Sequence, residues 1–318
     1  MDEFAVIERL RVLFEAVAGD GAAGRAVPPS GDTWIGDDAA AVTFDASRRA
    51  LLCTDLVVEG VHVDLRLTSL EDVGFKALMV TISDLAAMGG RAEYALLSVG
   101  APPGTDLDHL GIGVAEAAGR TGCRVVGGDL SESPVLVVST AAFGSLRGPS
   151  DAVPLLRSGA TVGDLLFVTG PLGGSAAGLR LLRAGGPLDD ASPALLAAHR
   201  RPVARLEEGE TARLSGATAA IDISDGLVPD ARHLADASGV GVDLDAVPVV
   251  EGASRDEALH GGEDYELLLA TRDPVRLIDA FGAAGLRPPL PIGRCTDRPG
   301  KHTLDGQPLP PGGWQHRF

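Results

Sequence analysis

Carboxylates recur where apolar runs end in this chain. Asp37 and Asp38 stand in IGDDAA, Asp55 in LLCTDLVVEG, Asp84 in TISDLAAMGG and Asp129 in VVGGDL. Asp222 and Asp225 close AIDISDGL, and Glu263 with Asp264 stand in HGGEDYELLL. A carboxylate pressed against apolar neighbours must find a partner or lose its charge. The chain holds two lysines, Lys76 and Lys301, and few arginines near these motifs. Metal ions are the obvious remaining countercharge. Hard oxygen ligands without a His/Cys cluster favour Mg2+ or Mn2+ over zinc. Taken as a group, Asp38, Asp55, Asp84, Asp129 and Asp222 point to metal binding. Taken singly, each is a helix cap or a turn former.

Mg2+ held by few carboxylates usually shares its shell with substrate phosphates, which directs attention to nucleotide chemistry. No G-x-x-x-x-G-K-[ST] loop is present, and the single Gly-Lys pair lies in PGKH near the C-terminus. TGPLGGSAAGL has the strand, Gly-rich turn and helix shape that could hold an anion at a helix start. It lacks the G-x-G-x-x-G spacing and reads first as a structural turn.

The elements that must carry these residues alternate in type. Helical periodicity marks 3–17 and 71–88, with a further helix at 106–120. Extended apolar segments occupy 50–58, 93–100, 123–127 and 134–143. The stretch 144–164 is rich in Gly, Pro and Ser, the composition of a boundary. Beyond it the strand DLLFVTG leads through the Gly-rich turn into the helix LRLLRAG. Helices are then expected at 203–214 and 227–237, and strands at 218–223, 240–244 and 265–270. The expectation is an α/β (α+β) chain of two domains, 1–146 and 147–318.

Bulk composition narrows the function classes. Hydrophobic residues make up 45% and charged residues 22% of the 318-residue chain, which is globular composition. Lys+Arg number 27 against Asp+Glu 44, for a formal net charge of −17, and no basic cluster appears. That argues against nucleic acid as a partner. Cys53, Cys123 and Cys295 form no C-x-x-C pair, which suits a reducing cytoplasm rather than a disulfide scaffold. The acidic, amphipathic start MDEFAVIERLRVLF does not read as a signal peptide. No apolar stretch reaches the ~18 residues of a membrane span. A cytoplasmic protein is expected.

Seven stretches, taken together, are specific. IGDDAA, TDLVVEGVH, KALMVTISDLAAMGG, VVGGD, LRSGATVGDLLFVTGPLGGSAAGL, AIDISDGL and LHGGEDYELL closely resemble the thiamine-monophosphate kinase family. They occur in that family's order and span nearly the whole chain. The resemblance implies membership of the superfamily that includes aminoimidazole-ribonucleotide synthetase, selenophosphate synthetase and a hydrogenase-maturation protein. It implies an N-terminal α/β domain that forms a homodimer, a C-terminal α/β domain, and ATP bound without a P-loop through carboxylates and several Mg2+ ions.

By this resemblance, Asp38, Asp55, Asp84, Asp129 and Asp222 would hold the ions, with Asp225 at an outer ion and Thr54 beside Asp55. Gly128 and Asp129 would lie against the nucleotide, and Arg157 and Ser224 would contact its phosphates. His62 and Glu263 would touch thiamine phosphate, with Trp314 stacking on it. Each has a plainer alternative: His62 as a strand histidine, Arg157 as the partner of a surface carboxylate, Trp314 as a plug for a core. Three positions depart from the family pattern. Cys53 replaces a hydroxyl residue, leaving its backbone carbonyl to coordinate; Leu130 follows Asp129; Val63 replaces an aromatic.

The implied reaction joins ATP and thiamine monophosphate to give ADP and thiamine diphosphate by direct in-line transfer. The rival enzymes fit less well. Selenophosphate synthetase would need a reactive Cys near the N-terminus, the hydrogenase-maturation protein a C-terminal Cys, and HGGEDYELL speaks against aminoimidazole-ribonucleotide synthetase. A non-catalytic divalent-cation-binding protein is the alternative from another class.

Overall fold

The computed structural model describes residues 3–17, 32, 34–35, 39–149, 152–185 and 192–314. The chain divides into two compact units, one of Met1–Leu85 with Arg91–Ala152 and one of Ala86–Gly90 with Val153–Phe318.

The first unit holds α1 (Glu3–Val17), β1 (Ala50–Val58), α2 (Leu70–Ala87), β2 (Arg91–Ala101), α3 (Leu107–Thr121), β3 (Arg124–Glu132) and β4 (Val137–Ser145). Its strands form one sheet in the order β1-β4-β2-β3. β4 is antiparallel to both β1 and β2, whereas β2 and β3 are parallel. A parallel pair needs a crossover, and α3 supplies it. Ser69 starts α2 by accepting the Asp72 N–H on its Oγ at 3.1 Å. Asp106 caps α3 in the same way through the N–H of His109, and Gly122 ends that helix with φ 70°. α2 is buried on nearly every side, so its apolar residues form no stripe. A Cβ on Gly74 would stand 2.0 Å from the Leu110 carbonyl oxygen, and one on Gly113 1.8 Å from that of Glu71. Glycine at both positions therefore lets α2 and α3 touch backbone to backbone.

The second unit holds β5 (Leu165–Val168), α4 (Gly174–Ala184), α5 (Ser192–Arg200), α6 (Leu206–Ser215), β6 (Ala219–Asp222), α7 (Leu227–Ser238) and β7 (Gly241–Leu244). It continues with α8 (Arg255–His260), β8 (Leu267–Thr271), α9 (Pro274–Ala283), β9 (Leu290–Thr296), β10 (His302–Leu304) and β11 (Gln307–Pro308). The sheet order is β11-β10-β7-β9-β5-β8-β6, antiparallel throughout except between β7 and β10. Both faces are covered. Leu166, Val168, Ile221 and Leu268 pack against Leu227, Val228 and Leu234 of α7. Phe167, Ala220, Leu267 and Leu269 pack with Leu277 and Phe281 of α9 on the other. Strands buried on both faces read as continuous apolar runs, which is why LLFV and LLLA carry no alternation.

Several elements lie outside the sequence expectation: α5, α8, α9 and β9 to β11. β8 starts at Leu267 rather than 265, because Tyr265 adopts φ 51° and cannot extend a strand. Among the described residues, no helix is long and apolar enough to cross a membrane.

Candidate active site

In the first unit, Cys53 and Asp55 lie on one face of edge strand β1, while Leu52, Thr54 and Leu56 point to the exposed face. Thr81 of α2 lies against the first face. Its carbonyl accepts the Cys53 Sγ–H at 3.2 Å, and its hydroxyl, which donates to the Ala77 carbonyl at 3.1 Å, lies near Asp55. Oδ2 of Asp55 is nonetheless buried with no hydrogen-bond partner. Burial raises the pKa of this carboxyl, opposed by the Thr81 hydroxyl. The Cys53 thiol is pushed up to about 12, first by burial and then by the charges of Asp84 and Asp55. The thiol is thus a protonated donor to a carbonyl, which leaves the main chain of Cys53 as its only means of ligating a hard cation.

Asp129 is placed differently. The register runs Asp55–Thr140–Leu97–Gly128 across the sheet, and Asp129 falls in the next row with Ser98, Ser139 and Leu56. Paired residues share a face, so Asp129 projects on the side opposite Asp55 and stands three strands away, roughly 14 Å. It is exposed. A Cβ on the adjoining Gly128 would sit 1.8 Å from the Leu97 carbonyl oxygen, so only glycine fits there. The Thr54 hydroxyl donates to the Thr140 carbonyl at 3.0 Å. His62 follows β1 in a tight turn, where Nδ1 accepts the Val58 N–H at 3.1 Å and assigns the other ring nitrogen as the protonated one of the neutral imidazole. Val63, the next residue, is buried. Asp38 and Asp37 lie outside the described residues.

In the second unit the two longest motifs meet. Ile223 N–H donates to Glu266 O at 2.8 Å, Tyr265 N–H to Ile223 O at 2.9 Å, and Glu263 N–H to Ser224 O at 2.8 Å. A Cβ on Gly262 would stand 2.5 Å from Ser224 O and one on Gly261 2.3 Å from Glu257 O, which accounts for the glycine pair in HGGEDYELL. Glu263 itself holds φ 68°, an unusual conformation for a non-glycine residue. Asp222 ends β6 and is 4% exposed; Ser224 and Asp225 are half-buried. The tail reaches the same loop, since Trp314 N–H donates to Asp225 O at 3.1 Å. Arg232 holds that tail through the carbonyls of Leu309 and Pro310 at 2.6 and 2.9 Å. Trp314 is 49% exposed. Arg157 is exposed in a turn whose carbonyl accepts the Ser238 hydroxyl at 2.7 Å.

One organising residue, Asp230, escaped the sequence reading, and Asp264 was read there only as a member of the acidic group. Oδ2 of Asp230 accepts the N–H groups of Ser224, Asp225 and Gly226, each at 3.1 Å. Its pKa rises to about 8, through burial first and then the charges of Asp222 and Asp225. The sequence signal was an acid in the first turn of α7, four residues past Gly226. Asp264 accepts Gly173 N–H at 2.6 Å and Ser175 N–H at 3.1 Å. The start of α4 is therefore occupied by the chain's own carboxylate, and the Gly-rich turn is a structural one. Burial raises the Asp264 pKa to about 6 against the pull of those two hydrogen bonds.

Among the described residues, no three His, Cys, Asp or Glu side chains gather as a metal-ligand group. In one unit Asp84 and Asp55 both act on the Cys53 thiol; in the other the main chain joins Glu263 to Ser224, and Asp222 and Asp225 both act on Asp230. The structure does not bring Asp129 to Asp55 within one sheet.

Comparison with known proteins places this geometry in a family. Residues 36–146 match the family model described as AIR synthase related protein, N-terminal domain, and residues 161–305 match its C-terminal domain. The thiamine-monophosphate kinase of Mycobacterium tuberculosis is 37% identical over 325 residues, covering 96% of this chain and 89% of that protein. The crystal structure of thiamine-monophosphate kinase from Stenotrophomonas maltophilia superimposes with a TM-score of 0.82 at 31% identity, covering 97% of this chain and 98% of that one. AaThiL complexed with AMPPCP and TMP superimposes with a TM-score of 0.77 at 34% identity, over 86% and 89% of the two chains.

Proposed function

Because the chain belongs to the AIR synthase related proteins, and among them to the thiamine-monophosphate kinases, we propose that it transfers the γ-phosphoryl group of ATP to thiamine monophosphate, forming thiamine diphosphate and ADP. The related AaThiL structure, with its ATP analogue AMPPCP and TMP, supports this pair of substrates. The observation that carries the reading is the hydrogen bond from Glu263 N–H to Ser224 O. It seats a proposed thiamine contact directly against a proposed phosphate contact, the adjacency a direct transfer needs.

The nucleophile in this reading is an oxygen of the acceptor phosphate, already anionic at neutral pH, so no general base is called for. Repulsion is the obstacle. Two unit charges 4 Å apart cost ~4 kcal/mol at an effective dielectric near 20, and several such pairs meet here. Mg2+ fits the donor set: the buried, unpartnered Oδ2 of Asp55 is an oxygen that a hard cation would satisfy. Asp38, Asp55, Asp84, Asp129, Asp222 and Asp225, with Thr54 and the main chain at Cys53, would hold several ions. When bound, Mg2+ supplies the countercharge that lets two anions approach in line.

The remaining residues orient the substrates. Arg157 clamps phosphate oxygens with its planar fork, Gly128 admits the nucleotide against bare backbone, and Ser224 contacts phosphate. Glu263 draws the cationic thiazolium by charge, Trp314 receives it on its ring face, and His62 lines the same substrate. In this reading residues 1–146 bind ATP and Mg2+ and dimerise, while 147–318 complete the site. The exposed face of β1, with Leu52 at 68% and Leu56 at 49% exposure, supports a homodimer, because an edge strand with an open apolar face seeks a partner. A cytoplasmic setting suits the three cysteines, none of them paired.

The test is turnover. Purified protein with Mg2+, ATP and thiamine monophosphate is expected to release ADP and thiamine diphosphate in equal amounts. Asp55→Asn and Asp222→Asn are expected to lose it by about 10³-fold or more while staying folded, as loss of a metal ligand in phosphoryl transfer requires. Metal affinity without turnover in the unaltered protein would overturn the proposal in favour of a cation-binding protein.

A further inference from the structure

One buried group in the second unit lies against the proposed thiamine site and has no part in the reading above. His199, in the last turn of α5, is 5% exposed, and Ser175, in the first turn of α4, is 1% exposed. Nδ1 of His199 lies 3.1 Å from Ser175 Oγ and 3.5 Å from Glu263 Oε2. The two helices cross closely at this point. A Cβ on Gly178 would stand 2.1 Å from the Leu195 carbonyl oxygen and 3.1 Å from His199 Cβ. The imidazole therefore has a fixed seat. Ser175 is fixed in turn, because its N–H donates to Asp264, the residue after Glu263.

We infer that His199 is a positioning residue for Glu263: it holds the carboxylate at the orientation in which it receives the cationic ring of the acceptor. This rests on the proposed role of Glu263. With the proton assigned to Nδ1, the ring donates toward the oxygens of Ser175 and Glu263; an unprotonated Nδ1 would instead take the Ser175 hydroxyl proton and repel the carboxylate. The brace limits the side-chain freedom of Glu263. Its backbone is held at φ 68° by the bond to Ser224, but a glutamate side chain keeps three rotatable bonds, and freezing them on substrate binding costs on the order of 1–2 kcal/mol. A carboxylate already braced in the unliganded protein avoids that cost. The brace acts on acceptor binding, not on the nucleotide.

Steady-state kinetics on the full-length enzyme test this. His199→Leu removes the donor, and His199→Asn keeps an N–H near the Nδ1 position. Ser175→Ala removes the hydroxyl, and Glu263→Gln reports on the site itself. His199→Leu is expected to raise KM for thiamine monophosphate about 5- to 10-fold, with KM for ATP and kcat within about 2-fold, the range of one side-chain coupling. His199→Asn is expected to recover most of the loss. The double variant of His199→Leu with Glu263→Gln is expected to be no worse than Glu263→Gln alone, because the brace has then nothing to hold.

A raised KM in Glu263→Gln with an unchanged KM in His199→Leu overturns the role of His199 alone, as do strictly additive effects in the double variant. An unchanged KM in Glu263→Gln overturns the assignment of Glu263 beneath it. Should His199→Leu fail to fold, Ser175→Ala and His199→Asn carry the test. Equal rises in KM for both substrates in these variants would mark a structural role and refute the proposal.

Discussion

The backbone N–H of Trp314 donates to the carbonyl of Asp225 across 3.1 Å, joining the C-terminal tail to the loop that ends β6. The N–H of the same Asp225 is held by Asp230. A residue proposed for the outer metal and an aromatic proposed for the thiamine ring are thus joined by one main-chain hydrogen bond. Trp314→Ala is expected to raise KM for thiamine monophosphate about 10-fold, the value of one cation–π contact of ~1–2 kcal/mol, and to leave KM for ATP alone. Arg232→Ala, which frees the tail carbonyls of Leu309 and Pro310, is expected to give a smaller rise in KM and faster proteolysis of the tail. Equal effects on both substrates would contradict this division.

Asp230 keeps three backbone N–H groups satisfied in the turn between β6 and α7. Its removal leaves them buried or half-buried without acceptors, at ~1–3 kcal/mol each before relaxation. Asp230→Ala is therefore expected to destabilise the chain by about 3 kcal/mol. Denaturant unfolding checks this, and a change below about 1 kcal/mol would mean that water or a shifted turn replaces the carboxylate.

The Asp264 carboxyl carries a folded pKa of about 6, above its ordinary value of 3.8. The folded state therefore binds the extra proton between those two values. The stability this group contributes is fully present below about pH 4 and is lost as pH rises through 6, with a slope of up to ~1.4 kcal/mol per pH unit. Urea midpoints of the protein relative to Asp264→Asn are expected to fall from pH 4 to pH 6.5 and then level. A flat difference would place the pKa near its unfolded value.

Burial pushes the thiols of Cys123 and Cys295 up to about 12, and burial with the charges of Asp84 and Asp55 does the same for Cys53. At pH 8 the thiolate fraction of each is then on the order of 10⁻⁴. A thiol reagent is expected to label none of the three in the native protein within the minutes in which it labels all of them in denaturant. Rapid native labelling of Cys53 would show that its neighbours carry less negative charge than this site requires.

Leu56→Glu places a charge on the exposed face of β1 without touching the row that holds Asp55. Light scattering is expected to show the mass of two chains for the unaltered protein and of one for this variant. A single-chain mass for both would remove the dimer from the proposed function.

Much of this was legible in the order of residues. The apolar runs of β1, β5, β6 and β8 and the helices α1, α2, α3 and α7 follow from local pattern, because burial of a strand or of a helix face leaves its period in the chain. The motifs around Asp55, Asp84, Asp222 and Glu263 were visible for the same reason: polar residues set in apolar runs must be accounted for. The short and late elements were not. α8 depends on a capping box at Ser254 and Glu257, and β10 pairs in parallel with β7 some 60 residues earlier, a contact with no local signature.

Side-chain chemistry alone determined that this chain carries too many carboxylates at strand ends to be explained by its own cations. Tertiary structure decided which of them are neighbours. Asp55 and Asp129 look equivalent along the chain, yet sheet register sets them on opposite faces, three strands apart. Asp230 and His199 look like ordinary helix residues and Asp264 like one more acid of its motif, yet folding makes the first the anchor of a turn, the second a buried brace and the third the cap of a distant helix. The physical reason is that charge and hydropathy belong to residues, whereas hydrogen-bond partners and desolvation belong to positions in space.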